Sequence, residues 1–156
     1  MLLILDIGTS SMRGMLMDYH GYILKSCQSK YWLHYTSEGG VLMEMRQLDE
    51  ALDRCLMEIG DFCAMEKIKL DGISVTAQRS SVIPMGKDGH ALCHAVMWQD
   101  KRCVGVIEEL ASKTKTIYGI CGMRPSPVFS APKMKYVKRH MPEVYEQAVK
   151  LSGFQE

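Results

Sequence analysis

The sequence predicts an α/β fold built on a mixed sheet, and three observations lead to this prediction. The chain opens on three strand-like segments joined by very short turns, at residues 2–6, 12–18 and 22–31. Helical periodicity begins at Leu48, and another apolar strand-like segment follows at residues 73–76. Short turns favour an antiparallel three-stranded meander, and the strand–helix–strand order favours a crossover whose flanking helix packs on the same sheet.

The first strands are indicated by their apolar content and by the turns between them. Residues 2–6 are a continuous apolar run that ends in Asp6, which is typical of a central strand. Residues 8–11 form a polar turn, and His20 with Gly21 forms the next turn. Because neither turn is long enough for a crossover, neighbouring strands are predicted to be antiparallel.

The first helix is indicated by apolar residues at steps of three and four positions. These residues are Leu48, Leu52, Cys55, Leu56, Ile59 and Cys63. Asp49 and Glu50 are expected in its first turn, at the positive end of the helix dipole. Cys55 is expected to be a small buried hydrophobe, and residues 73–76 are expected to be a buried strand.

The second half of the chain is predicted to alternate short strands and helices. Strands are expected at residues 81–85 and 95–98, on either side of a turn at residues 86–89. Helices are expected at residues 104–112, 131–139 and 142–150, the last with Pro142 in its first turn. A cationic cluster in and just after the predicted helix 131–139 is expected on a solvated face. It consists of Lys133, Lys135, Lys138, Arg139 and His140.

Charge and cysteine spacing exclude several classes of function. The formal net charge is +1, so no overall field favours a nucleic acid or a membrane surface as partner. The six cysteines include no CxxC pair, which argues against a zinc ribbon or a thioredoxin-like site. No secretory signal and no apolar run long enough to span a membrane are found. Reduced thiols and a cytoplasmic location are therefore expected.

The motif with the clearest chemistry lies at residues 6–13. A carboxylate at the end of a central strand, Asp6, suits a magnesium ion held mostly through water. The turn that follows contains a glycine, which lets the backbone approach a ligand, and three hydroxyl side chains. Phosphate contacts are predicted for Gly8, Thr9, Ser10, Ser11 and Arg13. The alternative is a plain hairpin turn whose hydroxyls bond their own backbone, and the motif is neither a Walker A loop nor a Rossmann glycine pattern.

This motif, with four further segments in the same order, resembles the FGGY family of carbohydrate kinases. The further segments are residues 41–48 (VLMEMRQL), 76–81 (TAQRSS), 97–102 (MWQDKR) and 122–135 (GMRPSPVFSAPKMK). The resemblance implies a ribonuclease-H-like domain of the actin-like ATPase superfamily. It also implies ATP and Mg²⁺ as cofactors and a sugar or polyol as the small-molecule partner.

The resemblance implies that the substrate side of the site contains Gln78, Arg79, Trp98 and Asp100. The last three each have a second interpretation. Arg79 is expected either to donate to sugar hydroxyls or to pair with Asp100, and Trp98 either to stack on the sugar or to be core. Asp100 is expected to accept bonds from the sugar, the alternative being an ion pair with Arg102. Ser130 with Ala131 is expected at a helix N-cap rather than at the substrate.

Two departures from the family bear on the substrate. Glycerol kinases have Arg-Glu where this chain has Arg79-Ser80, and a tyrosine where it has Val128. Both family residues contact glycerol, so glycerol is not expected to be preferred. Xylulose kinases usually have Met-His in place of Arg79-Ser80, and the substrate therefore stays open among sugars and polyols.

Residues 1–156 are interpreted as the N-terminal part of the first of two family domains. The catalytic base is expected beyond residue 156, so no catalytic residue is assigned within the chain. Self-association, as a homodimer, is expected through uncovered sheet edges. Two rival functions are a chaperone-type or filament-type actin-like ATPase and a non-catalytic sugar-binding domain.

Overall fold

The computed structural model describes residues 1–155, which divide into two compact units. Unit 1 takes in Met1–Trp32 and Met45–Gln78, and unit 2 takes in Leu33–Glu44 and Arg79–Phe154. Each unit has its own sheet and its own helices. Among the described residues, no helix has the length and apolar character needed to cross a membrane.

Unit 1 is a four-stranded mixed sheet covered by one long helix. Its strands are β1 (Leu2–Ile7), β2 (Ser11–Met17), β3 (Ile23–Lys30) and β6 (Gly72–Ala77), in the order β3-β2-β1-β6. β1, β2 and β3 form an antiparallel meander, and β6 lies parallel to β1. The predicted α/β fold with a mixed sheet and an antiparallel meander is confirmed.

The helix α1 (Met45–Met65) packs on β2 and β3. Its buried face includes Cys55 and Ile59, as the periodicity predicts. A Cβ on Gly14 would lie 2.9 Å from the Cys27 sulfur on β3 and 3.4 Å from the Cys55 Cβ on α1, so glycine leaves room for both neighbours. The helix begins three residues before Leu48, so the prediction that Asp49 and Glu50 belong to its first turn is wrong.

β6 is a strand as predicted, but the prediction that it is buried is wrong. Ile73 is 58% exposed, and Val75 is exposed as well. The reason is its place in the sheet: β6 has β1 as its strand neighbour on one side, while α1 packs on β2 and β3. Sequence pattern shows that a strand is apolar but not which sheet position it takes.

Unit 2 contains short strands and four helices. The strands are β4 (Leu33–Tyr35), β5 (Val41–Met43), β7 (Ile83–Met85), β8 (Ala95–Val96) and β9 (Lys150–Ser152). They form a three-stranded sheet, β4-β5-β8, and a pair, β7-β9. The sequence pattern predicted neither β4 nor β5. It also predicted no strand at residues 150–152, where β9 pairs with β7.

The helices of unit 2 are α2 (Val104–Leu110), α3 (Thr114–Cys121), α4 (Ser130–His140) and α5 (Pro142–Gln147). A short 3₁₀ turn, Ala111–Lys113, joins α2 to α3, and α3 ends at Gly122 in the left-handed conformation, with φ 71°. The predicted helices at residues 104–112, 131–139 and 142–150 correspond to α2, α4 and α5, although α5 ends at Gln147, before the predicted end. The helix α3 was not predicted.

Candidate functional site

The turn at residues 8–11, called here the N-terminal turn, connects β1 to β2 at one end of the unit 1 sheet. It is closed by a hydrogen bond of 2.9 Å from the Gly8 amide to the Ser11 carbonyl. A Cβ on residue 8 would lie 3.1 Å from that carbonyl oxygen, so a larger residue would force the turn to shift. Glycine therefore fits this tight turn without such a shift.

Side chains from β3 and its end hold the N-terminal turn. The Tyr31 hydroxyl donates to the Gly8 carbonyl, and the Tyr31 amide donates to the Ser10 carbonyl at 3.1 Å. Gln28 Nε2 donates to Ser11 Oγ at 2.8 Å. Burial, and secondly the nearby Asp6 carboxylate, raise the pKa of Tyr31 above its usual range, so its hydroxyl keeps the proton that it donates.

Asp6 and Arg13 are direct partners in the β1–β2 ladder, so their side chains share one face of the sheet. Asp6 is half-buried and Arg13 is exposed. Within residues 1–155 the Asp6 carboxylate has no hydrogen bond or ion pair. No group of three potential metal-binding His, Cys, Asp or Glu residues occurs in this part of the chain. A single unbonded carboxylate fits a magnesium ion held mainly by phosphate oxygens and water.

Gln78, predicted to contact substrate, lies at the end of β6 beside the N-terminal turn. The backbone amide of Gln78 donates to the Ile7 carbonyl at 2.8 Å, and its side-chain Oε1 accepts from Thr9 Oγ1 at 3.0 Å. Among the described residues its Nε2 is buried without a hydrogen-bond partner. A buried unpaired donor calls for an explanation such as a ligand or a water molecule. The substrate contact stays a prediction, and the structure adds that Gln78 positions the turn.

Trp98 and Asp100 belong to a loop of unit 2. The Trp98 amide donates to Ser81 Oγ at 3.0 Å, and the residue is 36% exposed, so part of it remains accessible. The Asp100 carboxylate is buried and accepts from the Val41 amide at 2.9 Å and from Arg102 Nη2 at 2.7 Å. This ion pair with Arg102 is the alternative that the sequence left open, and it raises the pKa of Arg102. A contact between Asp100 and sugar stays a prediction.

Arg79 lies on the wall of a cavity in unit 2, called here the unit 2 cavity, with a volume of about 340 Å³. Its neighbour Ser80 has φ 72°, a left-handed conformation that non-glycine residues rarely adopt and that is often found at functional sites. Asp100 is bonded to Val41 and Arg102, and residues 1–155 show no bond between it and Arg79. The remaining wall residues come from α2, α3, the segment that follows α3, and the start of α4.

The prediction that Lys133 lies on a solvated face is wrong, because its side chain is fully buried. Its ammonium group donates to the carbonyls of Pro127 at 2.5 Å, Val128 at 2.8 Å and Phe129 at 3.3 Å. Burial lowers the pKa of Lys133. A signal existed in the sequence, because Lys133 lies four positions before the buried Val137 on the same helix face.

Other residues that contact the N-terminal turn or line the unit 2 cavity could not be recognised from the sequence pattern. Tyr31 and Gln28 lie at the end of a strand with no distinctive spacing, and Arg124 stands alone in a loop. Their positions depend on how distant segments meet. Sequence pattern does not supply that information.

The sequence of this chain is similar to those of known carbohydrate kinases. The family model described as the FGGY family of carbohydrate kinases, N-terminal domain, matches residues 1–156. A glycerol kinase of Thermococcus onnurineus (strain NA1) is 30% identical over 150 residues, which is 96% of this chain and 30% of that protein. The chain spans about 30% of the length of the curated relatives it matches.

Solved structures give the same picture of the fold. A xyloylose kinase from Brucella ovis superimposes with a TM-score of 0.91 at 20% identity, over 98% of this chain and 31% of that one. A gluconate kinase from Lactobacillus acidophilus superimposes with a TM-score of 0.85 at 25% identity, over 97% of this chain and 31% of that one.

Proposed function

The chain belongs to the FGGY family of carbohydrate kinases, and on this premise we propose that the protein containing it phosphorylates a sugar or polyol with ATP. The oxygen of a substrate hydroxyl bonds to the γ-phosphorus, the bond to the bridging oxygen breaks, and ADP leaves. The hydroxyl proton passes to a base. We assign that role to none of the described residues.

The observation that carries the proposal is the N-terminal turn with its carboxylate and guanidinium. Gly8 and the hydroxyls of Thr9, Ser10 and Ser11 follow directly after Asp6, and Tyr31 and Gln78 hold the turn in shape. Backbone amides in such a turn suit phosphate oxygens. A turn that is fixed before the ligand arrives loses little conformational entropy on binding.

Asp6 and Arg13 have complementary roles in this proposal. Arg13, across the ladder from Asp6, stabilises negative charge that develops on the transferred phosphoryl group. Asp6 would hold Mg²⁺, and the ion when bound would supply neutralisation of the phosphate charge. ATP is the nucleotide expected of a carbohydrate kinase, and Mg²⁺ is the part of the proposal that rests on Asp6.

The substrate side of the proposal consists of Gln78, Arg79, Trp98 and Asp100. Arg79 donates to substrate hydroxyls, Trp98 offers an aromatic face to the sugar, and Gln78 Nε2 is an available buried donor. Similar proteins are described as glycerol, xylulose and gluconate kinases. Glycerol is not expected to be preferred here, since Ser80 and Val128 lack the carboxylate and phenol that would pair with its hydroxyls.

We also propose a cytoplasmic protein without nucleic-acid or membrane partners. The buried and unpaired thiols of Cys27, Cys55, Cys63 and Cys103 are in keeping with a reducing compartment. A homodimer formed through the exposed apolar side chains of β6, Ile73 and Val75, is a further proposal. Sedimentation of the full-length protein tests it.

An assay of ADP formation in the full-length protein, with and without sugars and polyols, tests the proposed function. ADP formation is expected to depend on the acceptor. Gly8→Ala is expected to slow it, because the added Cβ crowds the Ser11 carbonyl. Gly60→Ala is the matched control, since a Cβ there meets no atom within 4 Å. ATP hydrolysis that ignores every acceptor would instead indicate an ATPase of the chaperone or filament type.

A further inference from the structure

The unit 2 cavity has the size and lining of a site for one small molecule. Its volume of about 340 Å³ lies at the lower end of the range of ligand pockets. Apolar side chains from α2, α3 and the residue before α4, namely Leu110, Ile117 and Phe129, form much of the wall. Polar atoms on such a wall decide which ligand is accepted, because each buried polar contact must be matched.

The charged side chains on this wall are all of one sign. Among residues 1–155, Arg79 and Arg124 line the cavity, and no aspartate or glutamate does. Within residues 1–155, neither guanidinium has a hydrogen bond or an ion pair. Elsewhere in the same part of the chain, arginines do reach carboxylates: Arg46 and Arg54 bond Glu50, Arg102 bonds Asp100, and Arg139 bonds Glu109.

The start of α4 adds to the positive character of the wall. Ser130, Ala131 and Pro132, the first residues of the helix, line the cavity. No side chain caps this helix end. The free amides at a helix N-terminus carry partial positive charge, which acts in the same direction as the two guanidinium groups.

We infer that the acceptor of the proposed kinase carries a carboxylate beside its hydroxyls, and that Arg124 together with Arg79 binds it. This inference rests on the proposed function and names its substrate class as the sugar acids. Arginine presents parallel N–H donors that match the two oxygens of a carboxylate. Both arginines are exposed, so a neutral polyol leaves their guanidinium groups hydrated, whereas a carboxylate forms charge-assisted hydrogen bonds with them.

Matched pairs of acceptors test the inference in the full-length protein. D-gluconate with D-glucitol, and D-xylonate with xylitol, keep the chain length and exchange a carboxylate for a hydroxymethyl group. The acid of each pair is expected to have a kcat/KM roughly three- to tenfold higher, the size expected of ion pairs with two exposed guanidinium groups. Arg124→Gln is expected to remove that preference by raising KM for the acids, while the constants for the alditols change less than about twofold.

Two further variants separate a specific contact from a general loss of charge or structure. Arg124→Lys keeps the positive charge but lacks the parallel N–H donors of the guanidinium group. It is expected to show only part of the wild-type preference for the acids. Lys113→Gln removes an exposed charge that does not line the cavity, and is expected to leave both kinetic constants unchanged. Turnover of the alditols by Arg124→Gln is the check that this variant is folded.

The possible outcomes decide between the inference and the function on which it rests. Phosphorylation of alditols in preference to their acids, or an equal loss for both in Arg124→Gln, would overturn the inference and leave the kinase proposal standing. Calorimetry with D-gluconate in the absence of ATP gives an independent readout. Binding that Arg124→Gln abolishes would support the anion site even if no acceptor were phosphorylated, a result that would contradict the kinase proposal.

Discussion

The Asp6 carboxylate forms no hydrogen bond or ion pair within residues 1–155, unlike several polar groups of the turn that follows it. Ser11 bonds Gln28, the Gly8 carbonyl bonds Tyr31, and Thr9 bonds Gln78. Those contacts fix the shape of the N-terminal turn. The Asp6 carboxylate contributes no such contact, so its function is expected to lie in ligand chemistry rather than in folding.

Asp6→Asn in the full-length protein is therefore expected to lower kcat by roughly 100-fold or more. Removing the charge affects the metal and the phosphoryl group, where charge changes during transfer, and not the sugar. Steady-state rates beside calorimetry of sugar binding measure both effects. Asp53→Asn, the same chemical change at an exposed position of α1, is the control. Weakened sugar binding with normal turnover would contradict the role given to Asp6.

Tyr31 provides a second residue-scale prediction, on stability. Tyr31→Phe leaves the Gly8 carbonyl without its side-chain donor, which costs about 1–3 kcal/mol in the free energy of unfolding. Urea denaturation of the full-length protein measures this. Tyr22→Phe, at a residue that is 72% exposed, is the matched control. An equal effect of the two substitutions would mean that the Tyr31 hydroxyl does not hold the turn.

Among the elements of unit 2, α4 organises the segment that precedes it. Lys133 reaches back from the first turn of α4 to three successive carbonyls, at residues 127, 128 and 129. These residues precede the helix directly, and Phe129 also lines the unit 2 cavity. The buried ammonium group thus couples the start of α4 to one wall of that cavity.

Lys133→Met is expected to lower the free energy of unfolding by about 1–3 kcal/mol, since an apolar side chain of similar length leaves these carbonyls without their donor. Lys138→Met, on the exposed side of the same helix, is the control and is expected to have little effect. Denaturant titration compares them. Equal stability of the two variants would show that the buried ammonium group is dispensable.

α2 and α4 are linked at the surface by Glu109, which pairs with Arg139 and Lys135. These cations, Arg139 first, lower the pKa of Glu109 from 4.5 to about 2. Because the pKa is lower in the folded state, the stabilisation is present above pH 4.5. It is lost as the pH falls from there towards 2.

Carboxyl-carbon NMR titration of Glu109 checks this ion pair. Arg139→Met is expected to raise the pKa of Glu109 towards its ordinary value of 4.5, whereas Lys138→Met is expected to leave it unchanged. High salt is expected to have the same direction of effect as Arg139→Met, because the pair is exposed. A pKa that does not respond to Arg139→Met would contradict the pairing.

At the scale of the whole molecule, the sequence predicted local structure well and the packing of elements distant in sequence poorly. The meander, the face of α1 and the turn after Asp6 depend on periodicity and turn chemistry, which are local. The exposed face of β6 depends on which distant elements pack together, and no local pattern contains that. β4, β5 and β9 are three residues each, too short for an alternation of side chains to show.

The candidate site follows the same division. Asp6, Gly8 and Arg13 were predicted from a contiguous motif. The ion pair of Asp100 with Arg102 was one of two alternatives, and spacing could not choose between them. Tyr31 and Arg124 were missed, since one is defined by a bond across the meander and the other by a cavity that four segments build.

The central claim is that the phosphoryl group of ATP reaches a hydroxyl of a sugar or polyol. Phosphorus-31 NMR of one reaction mixture, containing the full-length protein, Mg²⁺, ATP and an acceptor, tests it most directly. The account predicts that one phosphomonoester of the acceptor appears for each ADP formed, and that neither appears without acceptor. Inorganic phosphate released in step with ADP, with no ester signal for any sugar, polyol or sugar acid, would contradict it.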